Sequence, residues 1–139
     1  MIVVDTNVVS ELMRPSPSVA VTGWVRERVG SELYTTSITL AEILYGIERL
    51  PDGRRRESLR VTASDVFVEF EDHVLPFDSS AAAHYADIVG GRERLGKPID
   101  GFDAQIASVC RVHGASLATR NLRDFQHTDV SLIDPWQHS

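Results

Sequence analysis

Residues 33–50, LYTTSITLAEILYGIERL, join two kinds of periodicity without a break. Leu33 to Thr36 reads as a strand, and from Thr39 onward Leu40, Ile43, Leu44, Ile47 and Leu50 recur at helical spacing, the strongest helix signal in the chain. The alternation continues in both directions from this unit. Toward the N-terminus, Ile2 to Val4 is a short buried strand, a helix begins around Asn7, and residues 17–29 carry Val21, Trp24 and Val25 at helical spacing. Toward the C-terminus, Pro51-Asp52-Gly53 breaks the chain. A helix with Leu59, Ala63, Val66, Phe67 and Phe70 on one face follows, then a strand from Val74 to Phe77. Ser79 to about Arg94 is an alanine-rich helix. Phe102, Ile106, Val109, Cys110 and His113 mark another, closed by Gly114 at a C-cap position. Ser116 to Thr119 reads as a strand and Leu132-Ile133 as a short last one. Such alternation predicts an α/β fold of three layers: a parallel sheet of four to five strands with helices on both faces, in one domain spanning residues 1–139. Ligand sites in such sheets lie beyond the carboxyl ends of the strands.

The composition narrows the class. At 139 residues, with 42% hydrophobic and 24% charged residues, the chain has room for one core and is not compositionally disordered. No run approaches the ~18 apolar residues of a membrane span, and MIVVDTN lacks the charged and apolar regions of a signal peptide. The lone Cys110 excludes an internal disulfide and a cysteine-based zinc site. A soluble cytoplasmic protein is the expectation. Twenty acidic against fourteen basic residues give a net charge of −6, which argues against nucleic-acid binding through bulk charge. The basic residues are all arginine except Lys97, and arginine grips phosphate in a bidentate fork; codon usage explains the same bias.

The polar residues at the predicted strand ends and helix starts are mostly acids. Asp5 ends the first strand, followed by Thr6 and Asn7; an N-cap role explains it equally well. Glu42 stands three residues after Thr39, the spacing of a capping box, yet lies roughly 130° from the centre of its helix's apolar stripe. It is free to face a cleft, with Gly46 leaving space beside it. Asp100 and Asp103 share one side of a helix's first turn; Asp100 is the simpler cap, and Asp103 lies at the edge of the core, where a carboxylate needs a partner. Thr119, Asn121 and Asp124 follow the strand at Ser116. Several carboxylates cannot stay ionised close together without a cation, and an oxygen-only donor set suits Mg²⁺ or Mn²⁺ rather than zinc. No histidine pair has ligand spacing, and no serine or cysteine nucleophile motif occurs. A cation in a carboxylate pocket points to chemistry on phosphates.

These residues carry a resemblance. IVVDTNVVSEL at the start, TTSITLAEILYGIERL in the middle, KPIDGFDAQIASVCRVHGASLATRNLRDF near the end and the final Leu132-Ile133-Asp134-Pro135-Trp136 resemble, in this order and spacing, a PIN-domain ribonuclease of the VapC type, including its FitB-like relatives. The resemblance implies a toxin of a type II toxin–antitoxin pair that cuts RNA with Mg²⁺ or Mn²⁺, forms a homodimer and is held by a small VapB-like antitoxin. It places catalysis on Asp5, Glu42 and Asp103, with the metal on Asp5 and Asp103. The fourth acidic position of the family falls on Asn121, which brings no charge. Asp100, Asp124, Thr6, Asn7 and Thr119 would support the site. The helical pair between Ser37 and Phe70 resembles the family's clip, and Arg54, Arg55, Arg56 and Arg60 on it either meet RNA or form a solvated face. Other readings are an RNA-binding PIN relative with a degenerate site, or an aspartyl-phosphate phosphatase or receiver domain. The phosphatase reading lacks Asp-x-Asp after the first strand. The receiver reading lacks a lysine at a late strand end.

Overall fold

The computed structural model describes residues 1–28 and 32–139. The strands are β1 (Ile2–Val4), β2 (Leu33–Thr36), β3 (Val74–Leu75), β4 (Ser116–Ala118) and β5 (Leu132–Ile133). The helices are α1 (Thr6–Leu12), α2 (Val19–Arg26), α3 (Ser37–Glu48), α4 (Arg54–Val68), α5 (Ser79–Arg94) and α6 (Gly101–His113). Every strand pairing is parallel, in the order β3-β2-β1-β4-β5. The chain builds outward from β1 to one edge, then crosses back to place β4 on β1's other side. The strand order therefore reverses between β1 and β4, and a crevice opens beyond their carboxyl ends at such a point.

Helices cover both faces of the sheet, so the strands carry apolar residues on both sides rather than alternating with polar ones. Ile2, Val4, Leu33 and Ala118 face one core, with Val8, Trp24, Ile43 and Ala63 from α1 to α4. Val3 and Leu117, one register step away, face the other core with Ile88, Ala104, Ile106 and Cys110 from α5 and α6. Side-chain oxygens cap most of the helices: Asp5, Ser18, Thr36, Asp78 and Asp100 each accept an N–H of the following first turn. Gly114 ends α6 at φ 60°, a left-handed conformation that glycine adopts without strain.

Several local expectations shift. Helix α3 starts at Ser37, not Thr39, because Thr36 caps it by accepting the Thr39 N–H at 3.1 Å. The Thr39–Glu42 capping box is not formed. Within α3, Leu44 is 49% exposed, although its spacing puts it on the apolar stripe. Strand β3 stops at Leu75; Pro76 has no N–H to extend the ladder, and the rings of Phe77 and Tyr85 meet at 87° in a T-shaped pair. On α6 both Phe102 and His113 are exposed, while Ile106, Val109 and Cys110 are buried as their spacing predicts, with Ala104 and Ala107 beside them. Helix α2 ends at Arg26, and residue 29 of the predicted segment lies outside the described residues. Among the described residues no helix is long and apolar enough to cross a membrane.

Candidate active site

Asp5 leaves the sheet at the end of β1. Its backbone N–H still donates to Ala118 O on β4 at 3.1 Å, which ties it to the switch point. The side chain is 3% exposed. Its Oδ1 accepts the Val8 N–H at 3.1 Å, and the Asn7 N–H and the Thr119 side chain also bond to the carboxylate. Asp5 is thus a helix cap, as its position allowed, and also a buried acid at the crevice. Burial raises its pKa to about 6 against the lowering effect of these hydrogen bonds, and the nearby Glu42 adds to the rise.

Thr6 reaches the opposite way. Its hydroxyl lies 2.7 Å from Glu42 Oε1 and 3.2 Å from Thr39 Oγ1. The contact fixes the Glu42 carboxylate on the flank of α3 that faces α1. Glu42, Thr6, Ser10, Gly46 and Arg55 line a cleft of about 450 Å³ there, and no atom lies within 4 Å of where a Gly46 side chain would begin. The open space that Gly46 promised is present. Arg56 and Arg60 pair with Glu48, Asp52 and Glu57, so they form an ion-paired surface; Arg55 lines the cleft.

The third acid comes from the other side of the sheet. Asp100 caps α6, its Oδ2 accepting the Phe102 and Asp103 N–H groups at 3.0 and 3.3 Å. That leaves the half-buried Asp103 carboxylate, one turn in, free of the capping task. Its pKa rises to about 7, from burial first and then from the negative charges of Asp100, Asp124, Glu42 and Asp5. Acids from α6, from the 3₁₀ turn Leu122–Phe125, from α3 and from the end of β1 thus act on one carboxylate. Thr119 is fully buried and supports the cluster from below, bonded to Asp5 and accepting the Asn121 N–H at 3.0 Å. Asn7 and Asn121 stand beside it, lining a smaller cleft with Arg14, Arg120 and Trp136.

The cluster is short of positive charge. Its donors are all oxygen, two of its acids are held towards protonation by burial and mutual repulsion, and no guanidinium or ammonium is paired with Asp5, Glu42 or Asp103 among the described residues. This chemistry fits a hard divalent cation. No three Asp, Glu, His or Cys side chains among the described residues close tightly enough to cage an ion alone.

Two buried charged residues escaped the sequence reading. Glu11 is a buried acid on α1, bonded to the Ser18 N–H at 2.8 Å and to Arg14 at 3.3 Å. Arg92 is 6% exposed near the end of α5 and bonds the carbonyls of Lys97, Asp124 and Gln126. Its position was readable: Ala81, Tyr85, Ile88 and Arg92 fall on one helical stripe, so an arginine stands where a core residue belongs.

A parallel α/β/α domain with acids gathered at its switch point belongs to a known class. The PIN domain family profile matches residues 2–131. The chain is 36% identical to VapC ribonuclease Y4jK of Sinorhizobium fredii, over 99% of both chains. It is 34% identical to toxin FitB of Neisseria gonorrhoeae, over 98% of this chain and 99% of that one. A solved structure of FitAB bound to an IR36 DNA fragment superposes with a TM-score of 0.91 at 34% identity, covering 100% of this chain and 98% of that chain. The chain belongs to the PIN-domain family, among its VapC and FitB members.

Proposed function

We propose that the chain is the toxin of a type II toxin–antitoxin pair, an endoribonuclease that requires Mg²⁺ or Mn²⁺. The observation that carries this reading is that Asp5, after β1, Glu42 on α3 and Asp103 on α6 lie close enough for the charge of Glu42 to raise the pKa of Asp5 and for the charges of both to raise that of Asp103, with no cation paired to them among the described residues. Relatives named as ribonucleases support the reaction class. Asp5 and Asp103 would hold the ion. When bound, a divalent cation lowers the pKa of a water and neutralises phosphate oxygens. Glu42, oriented by the Thr6 hydroxyl, would serve as the base that receives a proton from a water attacking phosphorus, and the departing ribose oxygen would take a proton from solvent. Thr119 and the Asn7 and Val8 N–H groups keep the Asp5 carboxylate in place. Asp124 adds negative charge at the fourth corner, where Asn121 is neutral.

The same reading includes a small antitoxin and a homodimer. FitAB and VapBC complexes among the structural neighbours support the antitoxin. Leu40, Leu44, Phe67 and Val68 line an apolar groove between α3 and α4 that supports burial against a protein. The test is cleavage of end-labelled transfer and ribosomal RNA by the purified chain. Fragments are expected with Mg²⁺ or Mn²⁺ and none after chelation; full activity in excess EDTA would overturn the mechanism.

A further inference from the structure

Asp124, whose charge acts on Asp103, also lines another cavity, of about 500 Å³, together with Arg92, Lys97, Arg123, Gln126 and His127. The cavity's charge is opposite to that of the acid cluster: three fixed cations face one carboxylate, in a chain whose net charge is −6. Lys97 is the only lysine of the chain and is exposed, as is Arg123. Arg92 forms the wall.

The state of Arg92 separates this cavity from an ordinary basic surface. Arg14, Arg28, Arg56, Arg60 and Arg111 each pair with a carboxylate. Arg92 is more deeply buried than any of them, yet its hydrogen bonds go only to backbone carbonyls: Lys97 O from Nε at 2.6 Å, and Asp124 O and Gln126 O from Nη1 at 2.8 and 2.9 Å. Those three bonds use Nε and one terminal nitrogen. The other terminal nitrogen has no hydrogen-bond partner among the described residues, and the side chain lines the cavity. A buried cation is costly unless paired, and carbonyl dipoles hold it without cancelling its charge. The arginine also fastens the segment at Lys97 to the turn that carries Asp124, so the cavity and the acid cluster share a rigid edge.

We infer that this cavity binds a backbone phosphate of the RNA strand, next to the phosphate held for cleavage at Asp5 and Asp103. The inference rests on the ribonuclease reading and adds the strand's path: past Asp124, into the space between Arg92, Lys97 and Arg123. Asp124 then stands between two neighbouring phosphates, acidic toward the cation side and flanked by cations on the other. An acidic chain thereby gains a local hold on a polyanion, one that needs no bulk positive charge. Recognition is of phosphate, without regard to base.

The test uses Lys97→Ala and Arg123→Ala, because Arg92 also fastens the fold and these two exposed residues do not. A fluorescein-labelled single-stranded RNA 12-mer is titrated by anisotropy against Asp5→Asn protein in EDTA, which keeps the RNA intact, with and without each added substitution, over a range of NaCl. A single-strand phosphate contact changes log affinity by about 0.7 per decade of salt, so near 0.1 M each lost contact weakens binding about fivefold. We expect that loss from each variant, about 25-fold from the double variant, and a shallower salt slope for each. Arg26→Ala, on α2, serves as the control for long-range charge. Unchanged affinity and slope in the double variant, or a loss no larger than that of Arg26→Ala, overturns the inference; a cavity serving an acidic peptide instead would give that result. Cleavage by the native chain is measured separately. If it cuts no RNA with Mg²⁺ but binding depends on Lys97 and Arg123, the activity fails and the phosphate site stands. Cleavage with binding indifferent to both residues refutes the phosphate site alone.

Discussion

Replacing Asp5 by Asn should make the metal-free protein more stable at neutral pH while abolishing cleavage. Asp5 is 3% exposed, and burial outweighs its hydrogen bonds to raise its pKa from 3.8 to about 6. The folded state therefore favours the protonated acid. Stability from this group is fully present below pH 3.8, falls as pH rises to about 6, and is flat above. At about 1.4 kcal/mol per pH unit, the ionised carboxylate costs the fold about 3 kcal/mol at pH 8. Asparagine has the same shape and no charge. Its Oδ1 can still accept the Val8 N–H, and Asn caps helices about as well as Asp, so little is lost in exchange. The assay is urea unfolding in EDTA at several pH values. The variant should match the native chain near pH 4 and exceed it by up to about 3 kcal/mol above pH 7, or about 10 °C in melting temperature. Asp103, half-buried and raised further to about 7, adds a dependence of the same sign to both proteins, extending to higher pH, so the comparison is read from the difference between them. A variant no more stable than the native chain at pH 8, or a difference that does not change with pH, would refute the claim that the buried carboxylate is held against its preference.

Four further outcomes follow from the same geometry. Asp103→Asn should remove Mg²⁺-dependent cleavage in the gel assay and leave the far-ultraviolet circular dichroism unchanged. Asp100→Asn should cost roughly 1 kcal/mol or less in urea unfolding and keep much of the activity, because Asn can take over the Phe102 and Asp103 N–H bonds; inactivity equal to that of Asp103→Asn would move the ligand role to Asp100. Cys110, fully buried with its thiol pushed up to about 12, should resist a disulfide reagent at pH 8 until the chain unfolds, and stoichiometric reaction of the native protein would contradict its burial. An antitoxin whose tail places an arginine among Asp5, Glu42 and Asp103 should lose inhibition when its basic tail residues are replaced; a complex that stays bound and inhibited would point to blockage of the RNA surface.

The fold was legible because most of its elements announce themselves locally. Leu33 to Thr36 and Ser79 to Arg94 fall where the spacing puts them, and a chain that alternates strands with helices has few topologies open to it. What failed were features decided by tertiary contact. Leu44 and Phe102 are apolar and correctly spaced, but α3 and α6 present them outward. Thr36, not Thr39, caps α3, because Thr39 lies in the buried contact between α1 and α3, where it meets the Thr6 hydroxyl. No periodicity in a single helix carries that information.

The candidate site was legible for a different reason, and only its acidic half. Asp5, Glu42 and Asp103 stand where a parallel sheet gathers ligands, so their convergence follows from topology once the strands are placed. The positive half obeys no such rule. Arg92 comes from the far end of α5, and Lys97 and Arg123 from the segments it fastens, so nothing in the strand ends points to them. Yet the two halves require each other. A cluster of carboxylates repels a polyanion except where a cation bridges them, and a bridging ion fixes one phosphate without orienting the strand on either side. In the proposed reading, a second hold of opposite charge, joined to the first through the Asp124 turn, would turn a point of attachment into a direction. By this argument loss of Lys97 and Arg123 should weaken the grip on longer RNA far more than on a dinucleotide, whose single phosphate never leaves the acid cluster.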